Sequence, residues 1–144
     1  VARDEAARAR LGNLRFEVRD VTDLDETASR DLVTTFDSIH DQAHPDRALR
    51  GIRRALRPGG TYLMQEIRAE SRLADNMAHP VAPFVYAVST MHCMTVSLAQ
   101  GGQGLGTAWG RDQVRAHLRA AGFDRIELHE LEGDLVSDWY VAPV

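Results

Sequence analysis

Cysteine is nearly absent from this 144-residue chain: Cys93 stands alone, which excludes an intramolecular disulfide and any zinc site built on several thiolates. Long apolar runs are missing too. Nothing approaches the roughly 20 consecutive apolar residues of a membrane span, and the first residues lack the basic start and apolar centre of a secretory signal. Neither sign of charge dominates: 17 basic and 21 acidic residues leave a net charge of −4, which gives no electrostatic reason to bind nucleic acid. There is no internal repeat and no low-complexity tract. These absences lead us to expect a soluble, cytoplasmic protein with neither nucleic acid nor membrane as partner. With 44% hydrophobic residues, the length suits one domain with its own core rather than two.

What is present is concentrated between Asp31 and Ile67. Leu32 to Phe36 is short and β-branched, as a strand should be. Asp37, Ser38, Ile39, His40 and Asp41 then place two carboxylates and an imidazole at its C-terminal end, where open α/β sheets hold their ligands. Pro45 suits the first turn of a helix, because it has no N–H to leave unsatisfied. Ala48, Leu49, Ile52 and Leu56 fall on one helical face, with Arg47, Arg50, Arg53, Arg54 and Arg57 mostly outside it. Pro58-Gly59-Gly60 stops that helix, and Thr61 to Ile67 resumes as a strand. A strand, a helix and a strand joined in this way form a crossover and so a parallel pair.

These residues also carry a resemblance. Asp31-Leu-Val, Ile39-His40 and the run Arg54-Ala-Leu-Arg-Pro-Gly-Gly60-Thr-Tyr-Leu resemble the second half of a class I S-adenosylmethionine-dependent methyltransferase. Asn13 to Asp20 is similar to that family's third strand with its terminal Asp, and Ala120-Ala-Gly-Phe-Asp124 to the end of its last helix. The resemblance spans nearly the whole chain. It implies an α/β fold: an incomplete Rossmann-like doubly wound sheet, parallel apart from an antiparallel C-terminal strand. The family's glycine-rich cofactor loop and its ribose-binding acid belong upstream of Val1. The reading is therefore a C-terminal part of a methyltransferase domain, inactive on its own.

The remaining elements follow from local pattern. We expect a helix to Leu11, a strand from Leu14 to Arg19, a helix from Arg111 to Ala121, and strands from Arg125 to Leu131 and Ser137 to Ala142. Residues 68–110 lack strand alternation and read as a helical insertion, with a short helix near Ser71 to Asn76 and a longer one from about Pro83 to Leu98. Such an excursion is usually a lid or a binding element. Without the family's first two strands, Leu14–Arg19 and Leu32–Phe36 are left as open edges. They are expected to pair directly or to complete themselves across a homodimer.

The resemblance implies S-adenosylmethionine as cofactor and a small-molecule methyl acceptor. Asp20 matches the acid that accepts from the adenine amino group, Val21 would offer its N–H, and Phe36 and Asp37 match the region at the methionine end. His40 is the candidate base, because its ordinary pKa suits proton transfer near neutrality, although packing explains a histidine there equally well. Glu66, Tyr86, His92 and Trp109 are candidate substrate contacts. Phe84, Met91 and Met94 would add greasy surface, or would simply form a core beneath the lid.

Three alternatives stay open at this point. The frame could be a non-catalytic dimerising or interaction module. Gly102-Gln-Gly-Leu-Gly106, followed by a helix and an acid-bearing strand, could form a nucleotide loop. His40 and His44, with Asp37 and Asp41, have zinc-ligand chemistry, but Pro45 makes that region a loop entering a helix, and no metal is expected.

Overall fold

The computed structural model describes residues 1–144. Strands β1 (Arg30–Phe36) and β2 (Leu56–Ile67) are parallel neighbours joined by helix α2 (Pro45–Ala55). Leu32 lies opposite Thr61, the pairing the crossover pattern requires. Strand β4 (Ser137–Pro143) runs antiparallel to β2 and also pairs with β3 (Glu127–His129), giving the order β1-β2-β4-β3. Three strands thus share a direction and one is reversed, which is the doubly wound Rossmann-like sheet with its antiparallel C-terminal strand.

Helix α2 forms where Pro45 can start it, with Asp46 in its first turn and Arg53 and Arg54 in its last, charges that suit the helix dipole. It buries Ala48, Leu49 and Ile52. These pack with Val114 and Leu118 of α5 (Arg111–Ala120), Tyr62 and Met64 of β2, and Tyr140 and Ala142 of β4 in one core. Phe123, just past α5, stacks on Tyr62 with ring centroids 5.5 Å apart. Along β2 the buried positions alternate as Tyr62, Met64 and Glu66, the period of two that a strand imposes. Register therefore carries a carboxylate into a position where the pattern calls for an apolar residue.

The outer face of α2 is a paired, solvated surface. Arg47 bonds Asp23 at 2.9 Å and Arg50 bonds Asp46 at 2.6 Å. Arg54 reaches the carbonyls of Leu24 and Glu26, and just past the helix, at the start of β2, Arg57 reaches the carboxylate of Asp31. Every one of the 17 basic residues in the chain is an arginine.

Several expectations need correction. No strand forms over Leu14–Arg19, where Val18 is fully exposed. A strand exists only through its neighbours' hydrogen bonds, and the direct pairing with β1 is not made. α1 (Ala2–Arg8) ends before Leu11, α2 ends at Ala55, and the Pro58-Gly59-Gly60 turn lies within β2. Helix α3 (Ala82–Val88), a π-helical segment (Ser89–Cys93) and α4 (Met94–Ala99) run on without a break. By length and composition this 18-residue rod would suffice to cross a bilayer, which the sequence reading did not anticipate, and only 22% of it is buried.

A buried ionic node fastens the sheet to α5 and the segment after β2. Asp138 on β4 is fully buried and accepts from Arg111 Nε at 2.6 Å, Arg111 Nη2 at 2.7 Å and Arg68 Nε at 3.1 Å. Removing one charge of such a set strands the others. Asp138→Asn is expected to cost about 3 kcal/mol, read as a lower urea midpoint with an unchanged slope.

Candidate active site

The site begins at the C-terminal end of β1. Asp37 adopts a left-handed backbone conformation, φ 46°, a strained state for a non-glycine residue that the surroundings must enforce. Its N–H donates to Gln65 O at 2.9 Å. The turn drops Ile39 and His40 into the interior, where they are 1% and 2% exposed.

Glu66, fully buried on β2, receives three donors. The Ile39 N–H reaches Oε1 at 3.2 Å, His40 Nδ1 donates to Oε2 at 2.6 Å, and Trp109 Nε1–H donates to Oε2 at 3.2 Å. This fixes the histidine tautomer, because an acceptor carboxylate requires the proton on Nδ1. His40 Nε2 is then left facing Asp41 Oδ1 at 3.3 Å. Burial works against the charged ring, but the Glu66 bond and the charges of Glu66, Asp41 and Asp37 outweigh it and hold the imidazole pKa above its ordinary value.

The helical rod packs over this cluster. Val85, Ser89, Cys93 and Ser97 face inward along the rod, and the π-helical turn, a feature common at functional sites, brings Cys93 Sγ to within 4.8 Å of a ligand atom of His40 and of Asp41. Burial pushes the Cys93 thiol up to about 11, with the Asp41 carboxylate adding to the effect.

The glycine motif clasps the lid instead of cradling phosphate. A Cβ on Gly102 would lie 2.4 Å from Ala43 Cα, and one on Gly106 would lie 2.2 Å from Ser89 Oγ and 2.6 Å from Met94 Cγ. Ser97 Oγ donates to Gln42 O at 3.2 Å and accepts from Gly104 N–H at 3.1 Å. The amides of Gly102, Gln103 and Gly104 are therefore committed to the rod and to the loop after β1. This removes the nucleotide-loop alternative.

Residues 1–122 match the family described as a methyltransferase domain. The chain belongs to that methyltransferase family. Solved structures support the fold. The methyltransferase chain resembles a protein of Nostoc punctiforme provisionally named an O-methyltransferase, at 24% identity and TM-score 0.63, covering 86% of this chain and 34% of that one. It also resembles an O-methyltransferase family protein from Burkholderia thailandensis, at 16% identity and TM-score 0.69, covering 99% and 39%. A third likeness is to the methyltransferase CalH in complex with S-adenosylhomocysteine, at 18% identity and TM-score 0.66, covering 98% and 39%. The chain spans between a third and a half of the length of the solved structures it matches. No curated protein matches its sequence.

The structure places the methyltransferase residues read from sequence in distinct settings. Asp20 caps a short turn, Val21–Asp23, with Oδ1 accepting from Thr22 N–H and Oγ1 at 2.8 and 2.7 Å. That leaves its second oxygen and the Val21 amide unengaged. Phe36 is half-exposed and meets Trp139 edge-on at 6.1 Å. Glu66 and Trp109 are turned inward and bonded to each other, so neither presents its polar group to an acceptor in this state. Tyr86 Oη accepts from Asn76 Nδ2–H at 3.0 Å, and the residue lines an apolar hollow of about 230 Å³ with Leu73, Asn76, Met77 and Pro83. His92 points outward, and its neighbour Cys93 occupies the interior position instead. Sequence reasoning placed Asp41 beside His40 but missed Cys93, Arg68, Arg111 and Asp138. None of these four had a local signal.

Two measurements check this geometry. Gly106→Val should detach the rod, seen as faster protease cleavage within residues 82–99, while Gly59→Val, in an open turn, should not. In the folded chain Cys93 should resist iodoacetamide at pH 8 and react once urea unfolds it.

Proposed function

We propose that this chain is the acceptor-side part of an S-adenosylmethionine-dependent methyltransferase that acts on a small molecule and uses His40 as the base. The observation that carries this reading is the Glu66–His40 pair: a buried carboxylate orients an imidazole at the C-terminal end of a parallel strand, beneath a lid. The placement matches where open α/β sheets bind ligands.

Bound S-adenosylmethionine would supply an electrophilic methyl group on a sulfonium. The residues present fit two of its ends. The unengaged oxygen of Asp20 and the Val21 amide suit the adenine amino edge, and the exposed carboxylate of Asp37 suits a cationic amino group. No residue here matches the family's glycine-rich loop or ribose-binding acid, so the reading requires a protein that also supplies them.

With the acceptor in place, the chain's own task is alignment, exclusion of water and removal of one proton. Glu66 keeps Nδ1 protonated, which leaves Nε2 as the proton acceptor. Asp41, partly exposed beside Nε2, marks the side from which a hydroxyl would approach. The rod and its glycine strap shield the site, and Phe84 and Met91, 72% and 76% exposed, offer apolar surface on the outside of the rod.

The alternative, an interaction module without catalysis, predicts that His40 is dispensable. In the whole protein, His40→Ala should lower kcat by about 10²–10⁴-fold, the range for a general base, and leave the S-adenosylhomocysteine Kd within about twofold. Unchanged turnover would refute the base. Calorimetric titration of S-adenosylhomocysteine into these 144 residues alone should show no tight binding. Micromolar affinity would refute the need for the glycine loop.

A further inference from the structure

The expectation that no metal binds rested on a His40–His44 pair, and His44 instead stands at the exposed start of α2. The fold supplies a different third group. His40 and Asp41 come from the loop after β1, and Cys93 from the π-helical turn of the lid. One ligand atom from each lies within 4.8 Å of the other two. His40 Nε2 and Asp41 Oδ1 are 3.3 Å apart. Tetrahedral zinc bonds, about 2.0 Å to nitrogen or oxygen and about 2.3 Å to sulfur, put neighbouring ligand atoms roughly 3.3–3.6 Å apart, so a small closure of Cys93 completes the set.

Two further observations point to a ligand. Asp41 Oδ1 is a buried acceptor with no hydrogen bond of good geometry; its polar neighbours are the other two members of the set, His40 Nε2 and the Cys93 thiol, so a shared cation would satisfy all three. His40 already has the supporting arrangement typical of a metal-binding histidine: its other ring nitrogen donates to a buried carboxylate, Glu66, which Trp109 holds in turn. The neighbouring trio Asp37, His40 and Glu66 is a poorer set, because it would have to use Nδ1 and the Glu66 oxygens that are already bonded.

We propose that His40 Nε2, the Asp41 carboxylate and the Cys93 thiolate form a site for a zinc-class divalent cation, with a fourth position open. Imidazole with thiolate selects a borderline ion of this kind over magnesium or calcium. Binding releases the Cys93 proton to solvent and ties the lid to the loop after β1. It also occupies Nε2, so a bound cation silences the base. The inference goes beyond the methyl-transfer reading, and its test needs neither cofactor nor acceptor.

The experiment is titration of the chain with Co²⁺ after chelator treatment and desalting. One equivalent should bind, with a near-ultraviolet thiolate-to-cobalt charge-transfer band and visible bands of tetrahedral intensity, all displaced by Zn²⁺. Cys93→Ser should abolish the charge-transfer band, Asp41→Ala should weaken binding by tenfold or more, and His44→Ala should leave both unchanged. Absence of the charge-transfer band in the unmodified chain at stoichiometric Co²⁺ overturns the proposal, whatever the variants do. So does a Co²⁺ affinity lost in His44→Ala and kept in Asp41→Ala.

Discussion

The carboxylate of Glu66 is the constraint around which the rest of the site is arranged. Strand alternation carries it inward with Tyr62 and Met64, and a buried anion is tolerable only if its lone pairs are occupied. The three donors that occupy them come from the loop after β1 and from the end of the insertion. Satisfying one charge therefore fixes the path of two loops and the orientation of His40. The strained backbone at Asp37 is held by the same requirement, since relaxing it would withdraw Ile39 N–H and His40 from their acceptor.

Where structure follows from local pattern, it was legible in the sequence. The apolar face of α2, the Pro45 start and the parallel pairing of β1 with β2 come from periodicity and from residues with restricted backbones. Leu14–Arg19 has an equally good alternating pattern and forms no strand, because a strand depends on neighbours outside itself. Glu66 and Trp109 were read as substrate contacts, since a sequence does not show that one polar group will be consumed by another. Cys93 is harder still. It reaches His40 and Asp41 from a distant segment and through a π-helical turn, and no spacing rule reports that. The glycine motif misled for a related reason: the pattern that lets backbone approach a phosphate also lets backbone approach a helix.

The lid is attached by unusual means. Small residues face inward from the rod, and the strap meets them through glycines and backbone hydrogen bonds, with much of the rod's apolar surface left outward. Attachment of this kind buries little hydrophobic area and stands at the low end of local stability. The Asp138 node is fastened in the opposite way, by charge in a dry setting that ties the sheet to α5.

Because every cation here is an arginine, the surface has a chemical character beyond its ion pairs. A guanidinium stays protonated across the whole physiological range and is a poor nucleophile. No ε-amine exists for acetyl, ubiquitin or succinimidyl ester chemistry to reach, so within these residues the positive charge cannot be erased by the usual lysine-directed enzymes, and amine-reactive dyes would find no side chain to label.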